Sequence, residues 1–140
     1  MKKNQRELLL IFMVLFCSCT PMRYVKNNGV EGVILGEEVK SSLFFYSKKE
    51  RFRPSLKEVA LFETEFQRAY SDSLSLNGCA RQYAGYINER TKHRCIMVIF
   101  ACDGEKKRFN WKKELVDVID GGLIIFSFDL VTQTFKQIST

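Results

Sequence analysis

Eight residues in the second half of the chain, Arg94 to Ala101 (RCIMVIFA), are almost entirely apolar. A run so short and so apolar reads as a central β-strand that has to be covered on both sides. Ala80 to Asn88 (ARQYAGYIN) reads as a second strand, and the polar stretch Glu89-Arg90-Thr91-Lys92-His93 between the two completes a β-hairpin pattern. Pairing Asn88 with His93 sets Gly85 opposite Ile96, Tyr83 opposite Val98 and Cys79 opposite Cys102. The helical signal comes just before. In Pro54-Ser55-Leu56-Lys57-Glu58, Ser55 is placed to cap and Glu58, three residues on, to close a capping box. Val59, Phe62, Phe66, Ala69 and Tyr70 then recur on one stripe, which predicts a helix from about Leu56 to Tyr70 lying on the sheet.

The remaining segments are shorter. Gly29 to Gly36 holds a brief strand, Ser42 to Ser47 a strand or buried extended segment, and Ser71 to Gly78 a connector. Cys102 to Phe109 reads as a polar loop and Trp111 as a core anchor. Glu114 to Ile119, Leu123 to Leu130 and Phe135 to Ser139 read as strands, with a tight turn at Asp120-Gly121-Gly122. Twelve Phe and two Pro suit an ordered, packed chain. The expected fold is therefore α+β: one main helix packed on a four- to five-stranded antiparallel meander sheet, in a single domain over residues 29–140. That order resembles the cystatin-like fold. Gln82-Tyr83-Ala84-Gly85 does not match the Gln-x-Val-x-Gly loop of protease-inhibiting cystatins, so the resemblance does not imply protease inhibition. From about Arg81 onward the chain also looks like a group of small uncharacterised Bacteroidetes lipoproteins. The likeness rests on Tyr83-Ala84-Gly85-Tyr86, on Trp111 to Glu114 and on Asp-Gly-Gly before a last hairpin, and it implies no activity.

The N-terminus supplies an address. Lys2, Lys3 and Arg6 precede nine unbroken apolar residues, Leu8 to Phe16, and then Cys17-Ser18-Cys19. This is the layout of a secretory signal and is too short for a comfortable membrane span. Phe16-Cys17-Ser18-Cys19 resembles the lipobox of bacterial lipoprotein precursors, matching at Ser18 and Cys19 and departing at Phe16, where Leu is usual. The resemblance implies a signal peptide over residues 1–18, acylation of Cys19 and a tether over residues 19–28. Thr20, with no aspartate beside it, and the lack of a following acidic run imply the outer membrane, facing the periplasm. An ordinary cleaved signal or an uncleaved anchor is the alternative. The signal holds +2 of the formal charge of +6, so the remainder is mildly basic.

Export turns the cysteines into a redox question. Beside Cys17 and Cys19 stand Cys79, Cys95 and Cys102. Either Cys79 and Cys102 bridge the hairpin base and leave Cys95 as a buried odd thiol, or all three remain reduced. His93, the single histidine, lies two residues from Cys95, yet a thiol in an apolar run behaves as a small hydrophobe, so a Cys–His nucleophile pair is disfavoured. One His and no C-x-x-C spacing give no zinc pattern. Asp117 and Asp120 are explained by strand alternation and a turn, and no phosphate-cradling glycine loop is present. No catalytic residue and no cofactor are expected.

Basic residues interleave with aromatics at Arg51, Arg53, Lys106, Lys107, Arg108 and Lys112. Read as an interaction surface, they suit an anionic envelope component better than nucleic acid, because the chain is exported. The expected function is that of a membrane-anchored envelope lipoprotein that binds another envelope component without catalysis. The alternatives are an enzyme or enzyme inhibitor with a site in loops such as Cys102 to Trp111, and an uncleaved signal-anchor protein with a basic domain.

Overall fold

The computed structural model describes residues 22–27, 29–39, 50–71, 76–108, 110–112 and 123–138. Among the described residues seven strands form one sheet: β1 (Met22–Asn27), β2 (Val30–Leu35), β3 (Arg51–Phe52), β4 (Ala80–Ile87), β5 (Arg94–Ala101), β6 (Ile124–Asp129) and β7 (Phe135–Ile138). Their order is β1-β2-β4-β5-β6-β7, with β3 pairing β4 beyond the end of β2. Helix α1 spans Leu56–Tyr70 and the short helix α2 spans Asp103–Arg108.

The fold is α+β, with the main helix laid on a sheet, but the sheet is larger than expected and mixed. The antiparallel meander accounts for β4 to β7. β2 joins it in parallel, with Gly32 opposite Arg81 and Ile34 opposite Tyr83. A parallel pair needs a crossover, and α1 lies in the connection between the two strands. The segment expected to be a tether up to Asn28 contains β1 instead. β1 pairs with β2 across residues 28–29, from Met22 opposite Leu35 to Asn27 opposite Val30. Gly29 supplies the positive φ of +80° that such a two-residue turn needs.

Local chemistry explains the elements that formed as the sequence suggests. Ser55 Oγ accepts from the Glu58 N–H at 3.3 Å while Glu58 Oε2 accepts from the Ser55 N–H at 2.8 Å, closing the capping box. Val59, Phe62 and Phe66 are buried. Ala69, expected on the same stripe, is exposed, because contact with the sheet continues through Tyr70, one helical turn beyond Phe66. The β4–β5 register is the expected one, including Gly85 opposite Ile96 and Tyr83 opposite Val98. A β-carbon at Gly85 would overlap the carbonyl and ring of Phe52, so glycine there is what admits β3 alongside β4. The expected polar loop after Cys102 is instead α2. Its first turn closes through the Lys106 N–H donating to the Cys102 carbonyl, and the Lys106 ammonium donates to the Gly78 carbonyl.

The sheet is covered on both faces, as the apolar β5 requires. On one face α1 packs Phe62 and Phe66 against Phe100, Phe126, Phe128 and Phe135, at ring separations from 5.1 to 5.8 Å. The other face carries smaller side chains, Ala80, Ala84, Ala101, Ile99 and Ile125, under Trp111, which is 7% exposed. Buried Gln82 holds that turn in place, its Nε2 donating to the Trp111 carbonyl at 2.8 Å. The expected strands at Ser42–Ser47 and Glu114–Ile119, the expected turn at Asp120 and the expected N-terminal signal with Cys17 and Cys19 all lie outside the described residues.

Candidate functional site

The aromatic contacts of α1 all reach toward β5, β6 and β7, apart from the Phe62–Tyr83 pair on β4. The helix therefore leans to one side of the sheet. Beside its other flank, next to the β1–β2 hairpin, run two adjoining grooves. One, of about 460 Å³, is lined by Val25, Val30, Leu56, Val59 and Ala60, with Arg23 and Lys26 also contributing. The second, of about 560 Å³, extends past Gly29, Thr64, Gln67 and Asn77. Val30, Ala60 and Glu63 line both. Leu56 is one of three large apolar side chains left exposed among the described residues.

Glu63 is the polar centre of this groove. Its Oε1 accepts from the Tyr83 hydroxyl at 2.7 Å and lies 3.1 Å from Arg81 Nε. Arg81 is 2% exposed, stacks on the Phe100 ring at 4.8 Å, and donates from Nη1 to the carbonyls of Leu76 and Cys79. Burial pushes the Glu63 carboxyl above its ordinary value, opposed by the Arg81 charge and by the hydrogen bonds from Tyr83 and Arg81. Burial and the neighbouring carboxylate push the Tyr83 phenol far up, so it stays a donor. The result is a fixed carboxylate, 15% exposed and braced from behind, in a cleft whose walls mix apolar side chains with polar ones. Apolar surface combined with a few placed polar groups is how ligand clefts are usually built.

A second polar cluster sits at the end of the sheet where β4 meets β5. His93 Nδ1 is 2.8 Å from Asp129 Oδ2, and the Tyr86 hydroxyl is 2.6 Å from Ser127 Oγ. Cys95 is buried on β5 between Tyr86 of β4 and Asp129 of β6, and its Sγ contacts the His93 carbonyl at 3.8 Å, a backbone atom. Burial, with Asp129 adding to it, pushes the Cys95 thiol up, the opposite of what a nucleophile needs. His93 and Cys95 thus make no reactive pair. No group of three metal-ligating side chains occurs among the described residues.

The six basic residues singled out in the sequence do not form one surface. Arg51 is spent on the fold: it donates to the carbonyls of Gly85, Val39 and Gly36 at 3.1, 2.9 and 3.3 Å, and burial pulls its pKa down. Arg53 bridges to Glu38 at 3.3 Å near the same end of the sheet. Lys106 is tied to Gly78 and Lys112 lies over the Tyr24 and Trp111 rings, both near where β5 ends. Lys107 and Arg108 belong to α2. Cys79 and Cys102 are disulfide-bonded, Sγ to Sγ 2.03 Å, leaving Cys95 as the free thiol among the described cysteines.

The groove residues carry no signal in the sequence, because Glu63 reads as the polar face of α1 and Arg81 as the outward position of a strand. Only the packing of α1 across β4 joins them. Compared with models of protein families, with curated proteins and with solved structures, the chain matches none.

Proposed function

We propose that this protein is a lipid-anchored envelope binding module. In this reading Cys19 carries the acyl chains at the outer membrane, facing the periplasm, and the domain binds an extended segment of another envelope protein without catalysis. The order of positive charge, apolar run and Ser18-Cys19 supports the anchor. The observation that carries the binding role is the Glu63 carboxylate, held by Arg81 and Tyr83 at the base of a cleft with Val25, Leu56 and Val59 on its walls. The bound segment would set an apolar side chain against those walls and offer a hydroxyl or ammonium to Glu63.

Photocrosslinking from the cleft tests this. A photoreactive side chain in place of Ala60, in the bacterium that makes the protein, yields a discrete adduct with an envelope protein, and Leu56→Glu, which puts a charge on the apolar wall, weakens it. An equal adduct from a control at exposed Lys136, or none from Ala60, contradicts the cleft as the binding site.

A further inference from the structure

The loops at one end of the sheet repeat a single design. In the first, Asn88 Oδ1 accepts from the N–H groups of Arg90 and Thr91 at 3.0 and 3.1 Å, and Lys92 takes a positive φ of 61°. In the second, Asp129 Oδ1 accepts from those of Val131 and Thr132 at 2.8 and 3.0 Å, and Gln133 takes a positive φ of 55°. The His93–Asp129 contact and the bond from the Leu130 N–H to the Arg94 carbonyl, 3.0 Å, fasten the loops side by side. This paired tip presents Val131, 64% exposed, with exposed Arg90 and Lys92 beside it. Within these loops Glu89 is exposed and Asp129 is engaged by His93; Glu37 and Glu38, which follow β2 at the same end of the sheet, are also exposed, and Glu38 bridges to Arg53.

The first described residue, Met22, lies at this same end. β2 and β4 run parallel toward it, so β1, antiparallel to β2, begins there, with Met22 opposite Leu35. Since Ile34 pairs with Tyr83, Met22 stands level with Ala84, and β4 continues for the residues Gly85 to Ile87, roughly 10 Å, before the loop. From Cys19 to Met22 the chain reaches at most about 10 Å. The opposite end, past Asn27, is at least about 17 Å away along β1 and beyond that reach.

We propose that the tip formed by loops 88–93 and 130–134 rests on an anionic phospholipid surface, with Val131 among the headgroups and Arg90 and Lys92 on the phosphates; this rests on acylation of Cys19. The short tether supplies the geometry, and basic residues near such a surface are attracted by its negative potential. The cleft beside Gly29 and Asn77 then opens away from the membrane, toward the periplasm.

Tryptophan quenching tests the placement. The acylated full chain, carrying Val131→Trp or Asn77→Trp, is reconstituted into phosphatidylethanolamine–phosphatidylglycerol vesicles containing brominated acyl chains. The V131W protein loses emission beyond the wild type, whose single tryptophan is Trp111, while N77W does not. Arg90→Glu with Lys92→Glu reduces the V131W loss. Equal or greater quenching at N77W, or none at V131W in acylated protein that floats with the vesicles, overturns the orientation alone. A chain that takes up no acyl group overturns the anchor and the orientation with it.

Discussion

Glu63 and Arg81 are the residues on which the cleft depends, and each would be costly without the other. A guanidinium 2% exposed loses its counter-charge if Glu63 is neutralised. Breaking a buried pair costs roughly 3–5 kcal/mol, and because Glu63 is itself 15% exposed, Glu63→Gln falls at the lower end of that range. Replacing both by apolar residues of similar volume recovers much of the loss, which chemical denaturation of the three variants measures. Asp129 works at the other end of the sheet. Two backbone N–H groups and His93 hold its carboxyl below the ordinary value against the opposing effect of burial. Its stabilisation is therefore complete above the unfolded value of about 3.9 and is lost as pH falls through the lower folded value. Asp129→Asn should flatten the stability–pH curve below about pH 4; an unchanged curve would contradict that role. Neither residue announces itself in the sequence, because partners on another element decide the burial of Arg81 and the loop fastening of Asp129.

At the scale of elements, what was readable depended on how local the cause is. α1 was legible to its ends because Ser55, Glu58 and the Phe62–Phe66 stripe are neighbours in sequence. The β4–β5 register was legible because the loop between Asn88 and His93 fixes the pairing of every residue behind it. β1 is masked in the sequence by its polar, tether-like composition, although Asn28-Gly29 is a strong two-residue hairpin signal. The parallel β2–β4 pair was hidden for a different reason: nothing local specifies a strand pairing made across a crossover. α2 is too short to be marked by pattern, and is held by the Cys79–Cys102 bridge and by Lys106. That bridge closes a separation of 23 residues. Thiol titration of the folded domain should find Cys95 unreactive until denaturant exposes it, and reduction should cost about 3 kcal/mol of stability. Three titratable thiols without reductant would contradict the bridge.

The molecule as a whole is a sheet covered by α1 on one face and Trp111 on the other, and its two ends carry different chemistry. One end bears the paired loops and the first residue of β1; the other bears the disulfide, α2 and the groove residues Gly29 and Asn77. A tether at Cys19 would give this asymmetry a direction, holding the loops to a membrane and the groove beside Gly29 and Asn77 toward the periplasm. The most direct test is acyl labelling with membrane fractionation of the full chain in a bacterial host, wild type beside Cys19→Ala. The account predicts that the wild type takes up lipid and sediments with membranes, and that the variant loses the label. A wild type that carries no acyl label, or a variant that keeps it, would contradict the anchored reading.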